Sequence, residues 1–377
     1  MRIMIAGGGT GGHIFPGVAI ADALEQLAPG TEVFFMGRRG SIEERVVTGT
    51  GRRFAAVPAM GLARGVEARN VAMPFVVAGG YARSLTVLAG SRPAAAIGTG
   101  GFISVPPILA ARTLGVPVVL QEQNSWPGLA TRLLSRLAAE VHVSFDDTAA
   151  WLPRARKVVI SGNPVRAGLA GLSRDAARRS LGLPDAGRVV FALGGSRGAR
   201  RINEAVAGAM GEFARTGTAI VAQTGRDDLE SVREAAGKAG ARAVVEAFFD
   251  DVGRAYAASD LVVARAGATT LAEIALVGRP SILVPYPHAT EGHQLRNARA
   301  FERGGAAVVV EDGALSGRAL AEKVLALLDD TPLLASMADG ARKLARPDAA
   351  DRVARATLAL ARGRGARVGS SRGGHAA

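Results

Sequence analysis

Short apolar runs alternating with helical patterns constrain the fold of this chain more than any other feature. The runs include residues 3–6, 32–36, 94–98, 117–121, 141–144 and 157–161. A second series follows at 188–195, 218–225, 241–248, 260–265 and 280–286. Helical patterns lie between most of them, as at 17–27, 128–138, 201–216 and 269–278. Continuous apolar runs bounded by Gly and Pro suit strands buried on both faces, and intervening helices imply parallel crossovers. The expected fold class is therefore α/β, with two Rossmann-like doubly wound domains facing across a cleft. A length of 377 residues suits two domains. The turn-rich stretch Gly162-Asn163-Pro164-Val165-Arg166 marks the break. Residues 1–163 are expected to form the first domain and 164–346 the second.

The first run, MRIMIA, leads into Gly7-Gly8-Gly9-Thr10-Gly11-Gly12 and then His13. A strand that ends in glycines and opens a helix suits an anionic or phosphorylated ligand. Glycine admits close backbone approach, and a helix start offers free N–H groups at its positive dipole end. Histidine is the side-chain type there that exchanges protons near neutral pH. The glycines also fit the dinucleotide spacing G-x-G-x-x-G. No acidic residue closes the second run, which ends in Gly37-Arg38-Arg39. Those arginines would suit a 2′-phosphate, which keeps an NADP oxidoreductase open as an alternative.

Two further glycine loops follow strand ends, Gly98-Thr99-Gly100-Gly101 and Gly194-Gly195-Ser196-Arg197-Gly198. Each alone could be a plain turn. Together they favour a polar ligand held by backbone groups, with Ser196 placed for a phosphate oxygen. Gln121-Glu122-Gln123-Asn124 ends another strand, where four polar residues are poor core material and good partners for sugar hydroxyls. After the strand at 260–265, Thr269 or Thr270 can cap a helix with Glu273 in its first turn. Glu273 then closes a capping box or accepts the two hydroxyls of a ribose; spacing does not choose. Arg166 in the presumed hinge could reach a diphosphate.

Cysteine is absent, which excludes disulfides, a thiolate nucleophile and cysteine-ligated zinc. His288 and His293 do not form a recognised ligand spacing, and no Asp-x-Asp pair is present. No metal or other cofactor is expected; helix N-termini and arginines would offset diphosphate charge. The N-terminus is not expected to be a signal peptide, and no run approaches the length of a membrane span. The formal net charge of +13 favours anionic partners. Residues 362–377, rich in Gly, Ser and Arg, read as a disordered basic tail, with nucleic-acid binding not expected. The stretch Arg64–Arg92 is either an ordinary buried helix or an apolar patch ringed by arginines that seats on an anionic membrane.

Several segments taken together resemble one bacterial family. They are GGGTGGHIFPGVAIADAL, GTGGFISVPPILAA, EQNSWPGLATRLLS, SGNPVR, GGSRGARRIN, EAFFDDVGRAYAASDLVVARAGATTLAEI and PSILVPYPHATEGHQLRNA, in this order along most of the chain. The family is the MurG type, the UDP-N-acetylglucosamine:lipid I N-acetylglucosaminyltransferases of peptidoglycan synthesis. The resemblance implies a glycosyltransferase B-type fold whose C-terminal helix, at 347–361, crosses back to the first domain. It implies inverting transfer from UDP-N-acetylglucosamine to the muramoyl C4 hydroxyl of lipid I, giving lipid II, with no cofactor. It implies an acceptor and membrane-docking first domain, a UDP-sugar-binding second domain, and a peripheral place on the cytoplasmic face of the inner membrane. By the same resemblance His13 is the catalytic base. Thr10, Gly11 and Gly12 line the donor–acceptor site, Asn124 touches the donor sugar, and Arg166 and Ser196 touch the diphosphate. Phe249, Ala268, Thr269 and Leu271 frame the uridine, with Thr270 and Ala272 in the same donor segment. Glu273 holds the ribose and Gln294 reaches donor hydroxyls. Arg64–Arg92 becomes the membrane patch. Two positions depart from the family pattern: Gln121 stands where His is common, and Phe102 where Tyr is. A UDP-N-acetylglucosamine 2-epimerase remains the alternative of the same fold and nucleotide.

Overall fold

The computed structural model describes residues 1–60, 73–166, 168–169, 171–194 and 199–372, apart from the side chains of 290 and 365–372. It divides into two compact units, Met1–Arg166 with Pro347–Ala377, and Ala167–Arg346.

The first unit is built on a seven-stranded sheet, all parallel, in the order β3-β2-β1-β4-β5-β6-β7. Its strands are β1 (Arg2–Ala6), β2 (Glu32–Gly37), β3 (Arg53–Ala56), β4 (Ala95–Gly98), β5 (Val118–Glu122), β6 (Glu140–Val143) and β7 (Val158–Ile160). In register, Ile5 of β1 pairs with Phe35 of β2 and Ile97 of β4. All three are buried, as expected of central strands covered on both faces. β3 was not legible as a strand: it is a short edge strand, partly exposed, and opens on Arg53.

The second unit carries a six-stranded parallel sheet in the order β10-β9-β8-β11-β12-β13. Its strands are β8 (Val189–Leu193), β9 (Ala219–Gln223), β10 (Ala243–Glu246), β11 (Leu261–Ala264), β12 (Ser281–Leu283) and β13 (Ala307–Val309). The two sheets repeat one plan. In each, the order reverses beside the first strand, between β1 and β4 and between β8 and β11. Crevices for ligands form outside the carboxyl ends of strands at such reversals.

The helix Gly11–Leu27 begins six residues before the stretch legible as helical, 17–27, because its opening glycines read as breakers. Gly17 is needed there. A Cβ on it would lie 3.3 Å from both Ile5 and Phe35, so the missing side chain lets the helix settle onto the sheet.

The C-terminal helix, Ala349–Arg372, corrects the expectation of a disordered tail from 362. Its buried Val353, Ala354, Leu358 and Ala361 join Ile3, Ile5 and Ile20 in one core cluster of the first unit. Burying a Val or Leu side chain contributes roughly 1.5–3 kcal/mol. Arg364 then anchors the extension by donating to the carbonyls of Pro93 at 2.7 Å and Leu114 at 3.2 Å. Composition marks Gly and Arg as solvated but does not reveal which arginine finds orphan carbonyls. Residues 373–377 lie outside the described residues.

The helix Met73–Ser91 packs on the first unit by one face. Its inward face is Gly80, Ser84, Leu88 and Ser91, mostly small residues at a spacing of three or four. A Cβ on Gly80 would meet the Pro58 carbonyl at 2.2 Å, so this face packs closely. Phe75 faces outward and is 78% exposed. The helix is therefore not an ordinary buried one. Arg64 and Arg69 lie outside the described residues.

Candidate active site

The loops after β1 and β4 meet at the first reversal point. A Cβ on Gly7 would stand 1.9 Å from Thr99 Oγ1, and one on Gly101 2.6 Å from the Gly8 carbonyl oxygen. Gly9, Gly100 and Gly101 also hold φ of +84°, +99° and +77°, which L side chains rarely adopt. Glu43, fully buried, braces the first loop by accepting from Gly9 N at 3.2 Å and Arg38 N at 3.3 Å. One N–H of the glycine loop is thus committed to the protein. Residues Thr10–His13 are exposed or half-exposed. Thr10 is extended and exposed, and its hydroxyl makes no cap to the helix it precedes. Gly11 and Gly12 supply the open helix start.

His13 sits in the first turn of that helix, against the second glycine loop. A Cβ on Gly100 would lie 2.8 Å from its Nδ1, so glycine there makes room for the imidazole. Nδ1 stands 2.9 Å from Gln123 Oε1. Arg166 lies over the Phe15 ring of the same helix at 4.8 Å, which brings its charge beside this turn.

The polar run that closes β5 and continues past it corrects the expectation that four polar residues there would face a sugar. Gln121, Glu122 and Gln123 are all buried. Their polar atoms satisfy one another and the backbone, which is how amides and a carboxylate enter a core. Glu122 accepts from Asn124 N at 3.1 Å, Gly128 N at 3.1 Å and Thr131 Oγ1, and so shapes the following loop. Asn124 alone of the four is half-exposed, with its amide also 3.3 Å from Glu122 Oε1.

In the second unit a cavity of about 660 Å³ opens at the reversal between β8 and β11. Thr270 and Gln294, both expected at the donor site, line it. Gln294 Oε1 accepts from Tyr286 N at 2.9 Å, so its NH₂ remains to donate. Ser196, with 195–198, lies outside the described residues.

The segment Ala268–Glu273 opens the helix Ala268–Val277, capped by Gly267 with no side-chain cap bond. Neither Thr269 nor Thr270 is the cap, and Glu273 falls in the second turn, so the capping-box reading fails. Glu273 is instead buried, with one oxygen accepting from Tyr256 Oη at 3.0 Å. Tyr256 stands edge-on to Phe191 at 5.1 Å, and Phe191 to Phe249 at 6.2 Å. These rings connect Phe249 to Glu273 through the floor of the unit. Ala272 and Thr269 are partly exposed, whereas Leu271 is fully buried and has only backbone to offer a ligand.

Sequence reasoning missed Arg265 and Asp312. Both line the cavity and form an ion pair, and Arg265 also donates to the Val284 carbonyl at 3.2 Å and lies over Tyr286 at 5.5 Å. Arg265 closes the apolar run 260–265 just ahead of the segment Ala268–Glu273, a signal that was there to read. Asp312 is distant in sequence and carried none. Among the described residues no group of three His, Asp or Glu side chains is placed to hold a metal ion.

Residues 3–143 match the glycosyltransferase family 28 N-terminal domain, and residues 189–353 its C-terminal domain. A UDP-N-acetylglucosamine–N-acetylmuramyl-(pentapeptide) pyrophosphoryl-undecaprenol N-acetylglucosamine transferase from Salinibacter ruber is 41% identical over 96% of this chain and 97% of its own. A relative of the same name from Nitratidesulfovibrio vulgaris is 42% identical over 93% and 94%. The crystal structure of Acinetobacter baumannii MurG superposes with a TM-score of 0.75 at 28% identity, covering 95% of this chain and 99% of that one. The fold is thus the two-domain glycosyltransferase B type. Identity at this level along nearly the full length shows that the chain belongs to the MurG family of N-acetylglucosamine transferases, within glycosyltransferase family 28.

Proposed function

We propose that this chain transfers N-acetylglucosamine from UDP-N-acetylglucosamine to the C4 hydroxyl of the muramoyl-pentapeptide borne on undecaprenyl pyrophosphate. One observation carries the chemistry: His13 lies at the reversal of the first sheet with Nδ1 held by Gln123 and its ring half-exposed. The relatives' shared name supports the substrates. The acceptor oxygen attacks the anomeric carbon opposite UDP. The bond from that carbon to the diphosphate breaks, its electron pair leaves with UDP, and the hydroxyl proton passes to His13 Nε2. Attack from the opposite face inverts the centre and makes a β-1,4 bond.

The remaining residues serve the donor. Thr10, Gly11 and Gly12 line the reacting centre, and Asn124 and Gln294 hold sugar hydroxyls. Arg166 and Ser196 meet the diphosphate, with charge also offset by helix N-termini. Phe249 and the segment Ala268–Ala272 frame the uridine, and the Glu273 carboxylate takes the ribose. The test is UDP release in EDTA with and without a lipid I analogue. Acceptor-dependent release supports transfer. UDP-N-acetylmannosamine formed without acceptor would instead establish the epimerase.

The lipid of the acceptor places the enzyme on the cytoplasmic face of the membrane as a peripheral protein, in our proposal. No helix among the described residues is long and apolar enough to cross a membrane. Exposed Phe75, with Arg83 and Arg92 on the same helix and at its end, supports docking to anionic lipid. Phe75→Ser is expected to weaken binding to phosphatidylglycerol vesicles about tenfold, the loss of roughly 1.4 kcal/mol of apolar burial. Sedimentation with vesicles measures this, and turnover on a short-chain soluble acceptor should not change. Equal vesicle binding by both proteins would move the docking surface elsewhere.

A further inference from the structure

We infer that Gln121 and Gln123 act as positioning residues that hold the neutral His13 ring as the Nδ1–H tautomer, leaving Nε2 as the unprotonated atom toward substrate. The inference rests on the proposed role of His13 as base.

The argument begins at backbone oxygens, which can only accept. Gln123 Nε2 lies 2.7 Å from the Thr99 carbonyl and 3.3 Å from that of Gln121. An amide oxygen in that position would face two acceptors, so the NH₂ group must be there. Oε1 of Gln123 therefore points to His13 and can only accept. The proton in the 2.9 Å contact belongs to His13 Nδ1. Neutral imidazole carries one N–H, so Nε2 keeps its lone pair.

Gln121 makes the arrangement one-way. Its Oε1 accepts from Gln123 Nε2. Its own NH₂ turns to Ser144 Oγ and the Glu122 carbonyl, each at 3.4 Å, and Ser144 donates to the same carbonyl at 2.9 Å. Each amide has one orientation that satisfies it, and the sequence of donors ends on main chain. Both glutamines are at most 2% exposed, so water does not compete. A carboxylate could orient a histidine similarly but would add a buried charge; two amides do it with none.

The experiment is a long-range proton–nitrogen correlation spectrum of protein labelled with nitrogen-15 histidine, above the pH at which the ring is neutral. The His13 signals are assigned by their loss in His13→Gln. The expected pattern is a protonated Nδ1 and an unprotonated Nε2 in the wild type. Gln123→Met, which keeps the volume but removes the acceptor, should give a tautomer mixture. It should also lower kcat about tenfold with little change in KM for UDP-N-acetylglucosamine. A wild-type Nε2–H tautomer overturns the inference without any variant, as does a Gln123→Met protein that keeps the Nδ1–H form. The base assignment fails separately, if the tautomer is as expected yet His13→Gln turns over normally.

Discussion

His13→Ala is expected to lower kcat by about 10²- to 10⁴-fold, the usual worth of a positioned general base. Affinity for UDP-N-acetylglucosamine should stay within a few-fold, because the uridine and ribose contacts proposed at Phe249, the Ala268–Ala272 segment and Glu273 are untouched. Steady-state kinetics and donor titration give the two numbers. The split matters: loss of kcat with donor binding intact removes an interaction made only in the transition state. Gly100 and Gly101 are shaped around the ring, so removing it leaves space without strain. A variant within threefold of the wild type would contradict the assignment.

Arg178→Leu is expected to destabilise the second unit by about 3–5 kcal/mol, the range for breaking a buried ion pair. Arg178 is fully buried in the helix Arg174–Ser180. It pairs with Asp260 at 2.9 Å and donates to the carbonyls of Ala258, Asp185 and Gly187 at 3.0–3.1 Å. Burial pulls its guanidinium below the ordinary range, with Asp260 opposing. Asp260 also accepts from Val189 N at 2.8 Å, at the start of β8. Leucine would leave three carbonyls and part of a carboxylate unpaired in the region that begins the unit's sheet. Urea denaturation followed by fluorescence and circular dichroism measures the loss. Arg179→Leu is the control: its side chain is 65% exposed and its ion pair to Asp185 spans 3.9 Å, so it should cost little. Equal effects of the two substitutions would contradict the account.

The fold was legible because parallel strands buried on both faces read as apolar runs. Every run named in the sequence became a strand. The two missed, β3 and β13, are edge strands of four and three residues. The glycine loops and His13 were legible because each imposes a rare backbone requirement or a rare side chain. Partners were not. Nothing in the order Gln121-Glu122-Gln123 shows that these chains turn inward, since their polarity argues for the surface until their mutual pairing is seen. Arg178 stands between other charged residues and reads like a solvated face. Gln121, which stands where His is common in the family, lies behind Gln123, whose amide oxygen meets His13.

The most direct test of the central claim is the structure of the product. Wild-type protein, UDP-N-acetylglucosamine and a lipid I analogue are incubated, and the sugar product is examined by proton NMR. The account predicts one disaccharide with N-acetylglucosamine on the muramoyl C4 oxygen. Its new anomeric proton should show the large diaxial coupling of a β linkage. An α linkage, a different linkage position, or a UDP-sugar isomer with the acceptor unchanged would contradict it.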